Sequence, residues 1–226
     1  MMFRKLMWTA IAAAAMTGCG SERVSNPDNG AHAHVRALTA TQSATAVDLF
    51  IDGHVVASGV SYGSVSSFVN VTPGAHTVGF REVGTTAVSF EKSVNFGADT
   101  NYTLIAVDSS TVINPGVLTD TGSTVAAGKT KLRVVHFATH ALAIDVWRTQ
   151  PDYMTPIRVM FPFAYKAASP YLESTPGAWT VAVTAEGTTT PNLYETGNIT
   201  IPAGQSRTVV LLDNGSGGVE AVILDK

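Results

Sequence analysis

Cysteine is almost absent from this chain of 226 residues, since Cys19 is the only one. A lone thiol cannot form an intramolecular disulfide, so the fold depends on a buried core. Charged residues are also few, at 14% of the chain, and the net charge of −3 comes without a basic cluster. The sequence therefore predicts no nucleic-acid partner. Long runs of Glu, Lys and Leu, which are typical of extended helices, are missing as well.

The residues that are present favour strands. Apolar residues make up 45% of the chain, which is typical of an ordered globular protein. Turn signals recur about every ten residues, and they include Asp52-Gly53 and the matching Thr-Pro-Gly-Ala segments at 72–75 and 175–178. Between them, apolar and polar residues alternate, as in Val47, Leu49 and Ile51. This pattern predicts an all-β fold of half-buried strands packed as sandwiches.

The first nineteen residues have the organisation of an export signal. Arg4 and Lys5 are followed by an apolar stretch, residues 6–16, that is too short to span a bilayer. The segment ends at Cys19 and resembles a bacterial lipoprotein signal, in which the cysteine is lipidated and becomes the mature N-terminus. The resemblance implies a lipid anchor on Cys19, a cell-envelope location and, from Gly20, outer-membrane sorting in a Gram-negative host. An ordinary secretory signal with an unrelated cysteine is the alternative.

An internal repeat organises the rest of the chain. The segment KLRVVHFATHALAIDVW at 131–147 matches HVRALTATQSATAVDLF at 34–50 at one constant offset. We therefore predict a tether at 19–33, a first domain at 34–118, a linker at 119–130 and a second domain at 131–226. The predicted fold is two tandem Ig-like antiparallel β-sandwiches. The Thr-Pro-Gly-Ala turns match at an offset six residues larger, so the second copy has six additional residues before this turn. They lie within 148–162, where prolines predict an extended loop.

Two structural ion pairs follow from the alternation. A hairpin centred on Gln42 sets Arg36 opposite Asp48, and the second copy sets Arg133 opposite Asp145 in the same way. Opposite charges at directly opposed positions of two strands attract one another, with a contribution of at most about 1 kcal/mol when solvated. We expect one such pair in each domain.

The sequence also resembles a known family. The pattern R-V-V-H-x6-A-I-D-V-W at 133–147, a following Ser-Pro-Tyr strand and a Thr-Pro-Gly-Ala turn are similar to the family of domain of unknown function 4397. The resemblance implies an Ig-type sandwich, often repeated in tandem in exported bacterial proteins, and it supplies no activity. The family's usual Ala-Ser-Pro-Asp-Ala-Pro loop is replaced here by residues 137–142 and 40–45.

Motifs of catalytic and metal sites are present in weak form. Residues 59–63 satisfy the G-x-S-x-G pattern around Ser61, but strand-like residues follow where a nucleophile elbow requires a helix. The histidine pairs are His32 with His34 and His136 with His140, and no Cys or H-E-x-x-H motif accompanies them. We expect no catalytic residue, metal or cofactor, with His136 as a neutral core imidazole. The alternative is a hydrolase or metal-binding protein that uses Ser61 or the histidines.

Aromatic residues offer a candidate binding surface. Phe50 and Trp147 occupy matching positions on the face that points away from the predicted core, and Tyr165, Tyr171 and Trp179 are grouped with them. Such a surface binds a glycan or an envelope protein, or else it is covered by the neighbouring domain. The sequence thus predicts a lipid-anchored, non-catalytic binding or structural module that is attached to the membrane through its anchor.

Overall fold

A computed structural model describes residues 30–86, 90–109, 112–119 and 124–225. These ranges contain strands and no helix, which confirms the predicted all-β class. The predicted signal, Cys19 and nearly all of the predicted tether lie outside the described residues. Within the described ranges, no helix has the length and apolar character needed to cross a bilayer. Residues Ala31–Lys226 form one compact unit.

The first half of the chain forms two four-stranded sheets. Its strands are β1 (Ala33–Thr39), β2 (Ala46–Ile51), β3 (His54–Ser61), β4 (Val69–Val71), β5 (Gly74–Glu82), β6 (Phe90–Phe96), β7 (Asn101–Ser109) and β8 (Val112–Thr119). The sheet β4-β1-β7-β8 faces the sheet β3-β2-β5-β6. Val35, Leu49 and Phe80 belong to the core between them, and we call this pair of sheets the first sandwich.

The second half repeats this strand order. Its strands are β9 (Thr130–His136), β10 (Ala143–Gln150), β11 (Tyr153–Ala164), β12 (Leu172–Ser174), β13 (Gly177–Ala185), β14 (Asn192–Glu195), β15 (Ile199–Ile201), β16 (Ser206–Asp213) and β17 (Val219–Asp225). The sheet β12-β9-β16-β17 faces β11-β10-β13-β14, and β15 also pairs with β13. Leu132, Val146 and Trp179 belong to the core of this second sandwich.

The connection after the first strand differs from the sequence prediction. β1 pairs with β4 and β7, whereas β2 pairs with β3 and β5, so residues 40–45 cross between opposed sheets. The predicted hairpin centred on Gln42 is therefore wrong, as is its counterpart between β9 and β10. Among the strands of the described residues, the pairings are antiparallel except β1 with β7 and β9 with β16, which run parallel.

The two hairpins at the outer sheets have different lengths. Asp52 and Gly53 form the predicted two-residue turn between β2 and β3, with φ angles of 50° and 77° that match the left-handed turn of a hairpin. In the second sandwich, β10 continues to Gln150 and pairs with β11 from Tyr153 onward. The extended loop predicted within 148–162 is thus wrong, because the prolines lie in the turn and on an edge strand, where a missing N–H is tolerated.

A third apolar cluster lies between the two sandwiches, against the sheets that contain β1 and β9. Its buried members are Leu38, Ala40, Ile105, Val107, Leu118, Val135, Phe137, Val210, Leu212 and Leu224. β7 and β16 therefore contact apolar side chains on both faces. Their near-continuous apolar sequences fit this double burial, which is otherwise typical of buried parallel strands.

Polar contacts across this cluster come in matching pairs. Arg36 of the first sandwich donates to the carbonyl of Asp225 in the second, at 3.1 Å. Arg133, which matches Arg36, donates to the carbonyl of Thr119 in the first, at 3.0 Å. The two acceptors also match, because Thr119 and Asp225 occupy the same place in the ladders of β7 with β8 and β16 with β17.

Tyrosines repeat the same exchange. The Tyr62 hydroxyl donates to the carbonyl of Asp213, and the Tyr165 hydroxyl donates to the Asp108 carboxylate at 3.1 Å. Tyr62 corresponds to Tyr165, and Asp108 corresponds to Asp213 by strand register. Burial raises the pKa of both tyrosines, so the hydroxyls remain donors. Each sandwich therefore presents a similar surface to the other, as in an isologous two-fold interface.

Candidate functional site

A groove of about 340 Å³ lies on the outer face of the second sandwich. Its floor comes from β10 and β13, one wall from β11 and the other from β14 and the segment that precedes it. The groove is lined by Trp147, Arg148, Thr149, Met154, Pro156, Thr180, Ala182, Thr189, Asn192 and Glu195. The volume falls in the range of small-ligand sites.

Trp147 lies at the centre of β10, opposite Arg158 on β11 and Ala182 on β13. Its indole N–H donates to the Thr184 hydroxyl at 3.1 Å, and that hydroxyl donates in turn to the carbonyl of Thr188 at 2.8 Å. The only polar atom of the indole is thus satisfied by the protein. The ring therefore contributes carbon surface to the groove.

Asp145 positions the neighbours of Trp147. Its side chain is 1% exposed and accepts from Arg158 at 2.9 Å and from the backbone N–H of Gly187 at 3.1 Å. Arg158 in turn lies 5.8 Å from the centroid of the Trp147 ring and 4.1 Å from that of Phe161. The buried carboxylate therefore holds together the β11 wall and the loop after β13.

The extended hairpin of β10 and β11 is attached to the body of the sandwich at its turn. The Asp152 carboxylate accepts from the Ser174 hydroxyl and from the Gln150 amide, each at 2.9 Å. The bond from Ser174 holds the pKa of Asp152 below its usual value. Pro151 lies so close to Gly177 that a Cβ at that glycine would stand 2.7 Å from the proline Cγ. These contacts keep the groove wall in place.

The first sandwich carries the matching carboxylate in a different setting. Asp48 pairs with Arg81 at 3.5 Å and accepts from the Ser58 hydroxyl at 2.7 Å and from the Gly59 N–H at 2.9 Å. Burial raises the pKa of Asp48, but these bonds together hold it below the usual value. The Arg81 guanidinium lies 4.3 Å from the Phe50 centroid, and Phe50 is only 7% exposed.

The predicted pairs of Arg36 with Asp48 and of Arg133 with Asp145 are corrected by these contacts. In each half the arginine and the aspartate lie in different sheets, and Arg81 and Arg158 are the cations beside the aspartates. The Nε atoms of Arg36 and Arg133 donate instead to threonine hydroxyls on β7 and β16, at 3.0 and 2.9 Å.

The aromatic residues proposed from the sequence do not form one surface. Phe50 is buried beneath Arg81, and Trp147 lines the groove. Tyr165 packs against the cluster between the sandwiches, and Tyr171 lies 4.7 Å beneath the Arg133 guanidinium. Trp179, which the sequence groups with them, is fully buried in the second core. Of the set, Trp147 is the one that lines the groove.

Sequence reasoning missed Asp213, which orders the loop after β9. The carboxylate accepts from the Thr139 hydroxyl at 2.6 Å, from the N–H groups of Thr139 and His140 at 3.0 and 2.9 Å, and from His140 Nδ1 at 2.9 Å. Burial raises the pKa of Asp213, but these bonds hold it below its usual value. The signal was a carboxylate directly after an apolar strand, which also occurs at Asp108.

Among the described residues, the candidates for the alternative catalytic and metal sites are exposed or held in contacts with neighbouring groups. Ser61 is exposed at the end of β3, and the residues after it form turns and short strands in the described chain. His136 is fully buried; its Nε2 contacts the Ala141 carbonyl at 2.6 Å and its Nδ1 the Ala138 N–H at 3.3 Å. Burial lowers the pKa of His136, which favours the neutral ring. Among the described residues, no three His, Cys, Asp or Glu side chains are grouped for a metal.

Solved structures align with much of this chain, at low identity and low TM-score. The TIE protein of Bacillus anthracis aligns with 80% of this chain at 8% identity and a TM-score of 0.27, and the chain spans 34% of its length. The tip fimbrial protein Mfa3 of Porphyromonas gingivalis aligns over 87% of this chain and 99% of its own, at 8% identity and a TM-score of 0.30. A family 41 carbohydrate-binding module from streptococcal virulence factors aligns over 82% of this chain and 95% of its own, at 11% identity and a TM-score of 0.27.

A comparison with curated proteins finds no match. The family model described as a domain of unknown function, DUF4397, matches residues 33–147. The matched region begins at the first residue of β1 and ends at Trp147 on β10, and it covers half of the chain. This protein therefore belongs to the DUF4397 family.

Proposed function

We propose that this protein is a non-catalytic binding module of the cell envelope. In this proposal, two copies of one β-sandwich unit, at 34–118 and 131–226, are carried on a lipid anchor at Cys19. The partner is an envelope component, either a glycan or a protein, that is bound through the groove at Trp147.

The observation that carries the proposal is the difference between the two copies. They match in strand order, in the environment of Arg36 and Arg133 and in their contacts with each other. They differ where six added residues lengthen the β10–β11 hairpin, and Thr149, Met154 and Pro156 of that hairpin line the groove. Met154 is 69% exposed there. An added wall that leaves large apolar side chains in contact with solvent supports a binding role.

The chemistry of the groove supports binding without catalysis. Among the described residues that line it, Glu195 is the only carboxylate, and its Oε2 accepts from the Asn192 amide at 3.0 Å. The lining contains no nucleophile paired with a base of the kind that covalent catalysis requires. We expect the Ser61→Ala variant and the wild-type protein to give the same result in a screen for hydrolase activity. A hydrolytic activity that depends on Ser61 would contradict this.

The binding role is tested with residues 31–226, which form one compact unit. Wild-type protein, Trp147→Ala and Phe68→Ala are immobilised and exposed to an envelope extract of the host. Phe68 is a suitable control because its ring is partly exposed and also lies beneath an arginine, Arg36, but Phe68 does not line the groove. We expect retention of an envelope component by wild type and Phe68→Ala, and its loss with Trp147→Ala. Equal retention by all three forms would refute the role of the groove.

The anchor is tested separately on the full chain. Cys19 is the only cysteine, so Cys19→Ser removes every thiol from the protein. We expect cells that are given radiolabelled palmitate to label the wild-type protein and not the variant, and the variant to leave the membrane fraction. Label on the variant, or none on the wild type, would contradict lipidation at this position.

A further inference from the structure

We infer that the groove at Trp147 binds a neutral saccharide. The inference rests on the proposed binding function and deepens it by naming the ligand class. A pyranose ring combines a flat face of C–H groups with a rim of hydroxyls, so a site for it needs one carbon surface surrounded by short polar groups. The groove provides this combination.

The carbon surface is the Trp147 ring. Because Thr184 accepts its N–H, the indole is held in one orientation by the sheet. Arg158 lies beside the ring on β11 and is held by Asp145 of β10, and Trp147 itself is paired with strands on both sides. A stacking platform on rigid elements keeps its geometry when the ligand is absent, which lowers the entropic cost of binding.

The polar groups lie on the same sheet as the Trp147 ring and beside β14. Thr149 lies on β10, Thr180 on β13, and Thr189, Asn192 and Glu195 on or before β14. Threonine hydroxyls both donate and accept, while the Asn192 amide and the Glu195 carboxylate offer further acceptor positions beyond their mutual bond. Hydroxyl groups of a sugar require this mixture of donors and acceptors.

The charge of the groove selects against other ligands. The Arg148 guanidinium lies 5.0 Å from the centroid of buried Trp179 and bonds Gln150, so Glu195 supplies the charge of the outer lining. A carboxylate disfavours phosphates and acidic sugars. The Arg158 guanidinium beside the same indole ring is already paired with Asp145, and Glu195 is bonded to Asn192. A neutral ligand needs no charged partner in the groove.

The position of the groove also disfavours an added peptide strand. The floor is the face of a sheet, and the backbone groups of β10 are engaged with β11 and β13 on either side. Strand addition requires an unpaired edge. The lining therefore recognises its ligand through side chains, as saccharide recognition does.

Intrinsic fluorescence offers a direct test on residues 31–226. These residues contain two tryptophans, Trp147 and Trp179, and Trp179 is fully buried. The probes are the hexasaccharides of maltose, cellulose, chitin, xylan and mannan types, each titrated to about 10 mM to include weak binding. We expect at least one to change the emission of Trp147, with the dissociation constant confirmed by calorimetry.

Variants locate the binding. Trp147→Ala should weaken the affinity about tenfold and Trp147→Phe less, since a smaller ring still offers a stacking face. Asn192→Ala should weaken it severalfold without altering the tryptophans, and Phe68→Ala should bind as wild type does. Trp179 emission and circular dichroism verify that each variant is folded.

Three results would overturn the inference: no response to any hexasaccharide, affinity that survives Trp147→Ala in folded protein, or tighter binding of a polygalacturonate hexamer than of any neutral one. Retention of an envelope protein that depends on Trp147, together with no sugar response, would overturn the saccharide alone and leave the binding function. Equal envelope retention by wild type and Trp147→Ala would overturn both.

Discussion

The apolar cluster between the sandwiches predicts that both unfold in one transition. Leu38 is fully buried in this cluster, on β1 of the first sandwich. Replacing a buried leucine with alanine costs about 2–5 kcal/mol. For a chain of this size, each 1 kcal/mol lowers Tm by about 2–4 °C. A central value of about 3 kcal/mol for Leu38→Ala thus lowers Tm by about 6–12 °C, and this shift should appear in both sandwiches.

The tryptophans make the assay specific to one sandwich. In residues 31–226 the two tryptophans, Trp147 and Trp179, both lie in the second sandwich, so fluorescence follows that half, whereas far-UV circular dichroism follows all strands. Leu38→Ala changes the first sandwich, but we expect it to lower the fluorescence midpoint as much as the dichroism midpoint. Coincident transitions are the test of one cooperative unit.

A matched variant separates coupling from local damage. Leu104 is fully buried in the first sandwich's own core, so Leu104→Ala removes similar packing without changing the cluster between the sandwiches. If the unit is cooperative, this variant also lowers the fluorescence midpoint. An unchanged tryptophan transition beside a biphasic dichroism curve, for either variant, would refute the reasoning and show that the sandwiches unfold separately.

Three further predictions concern pH and one close backbone contact. Burial lowers the pKa of His136, so its contribution to stability is complete above about pH 6.5 and is lost as pH falls toward the folded-state pKa. The His136→Gln variant should therefore show a smaller change in the midpoint of urea unfolding between pH 7 and 5 than the wild type does. One proton changes the free energy of unfolding by at most about 1.4 kcal/mol per pH unit. The pKa of Asp213 is lowered in the folded state, so Asp213→Asn should destabilise the protein at pH 7 and reduce its loss of stability below about pH 4. Gly74 and Gly177 both have positive φ angles, 126° and 142°, that strain an alanine, but only at Gly177 would a Cβ meet Pro151. Gly177→Ala should therefore lower the free energy of unfolding by about 1–3 kcal/mol more than Gly74→Ala, as measured by chemical denaturation. Equal losses would contradict the close contact.

Local features of this fold are readable from the sequence, whereas strand partners are not. Alternation around Val47 and the Asp52-Gly53 turn identify β2 and its hairpin, because both are encoded within a few residues. The partners of β1 are β4 and β7, and Arg36 on β1 is 67 residues from Thr103 on β7. Alternation indicates which face of β1 is buried and carries no information about either neighbour. The hairpin prediction failed for this reason, and the ion pairs that depended on it failed with it.

The candidate site shows the same division. Alternation placed Trp147 on the outer face of its strand, where it lines the groove. The walls depend on β14, which no sequence signal predicted, and on a hairpin whose prolines looked like loop residues. Pro156 lies on an edge strand, and the edge character of β11 is a property of the whole sheet. The partner of a strand and its position at a sheet edge therefore follow from the tertiary structure and not from the local sequence.

Duplication explains why one copy can carry a site while the other does not. Phe50 and Trp147 stand at matching positions, but Arg81 covers Phe50, whereas Arg158 is drawn to Asp145 and Phe161 beside Trp147. The first sandwich keeps a buried ring and contributes packing across the shared cluster. The second sandwich accommodates six added residues in the β10–β11 hairpin at the edge of its outer sheet. This edge lies on the opposite side from that cluster, so the new wall does not change the packing between the sandwiches. The added hairpin residues therefore lie on a surface that the interface leaves open, and a ligand site is expected on that surface.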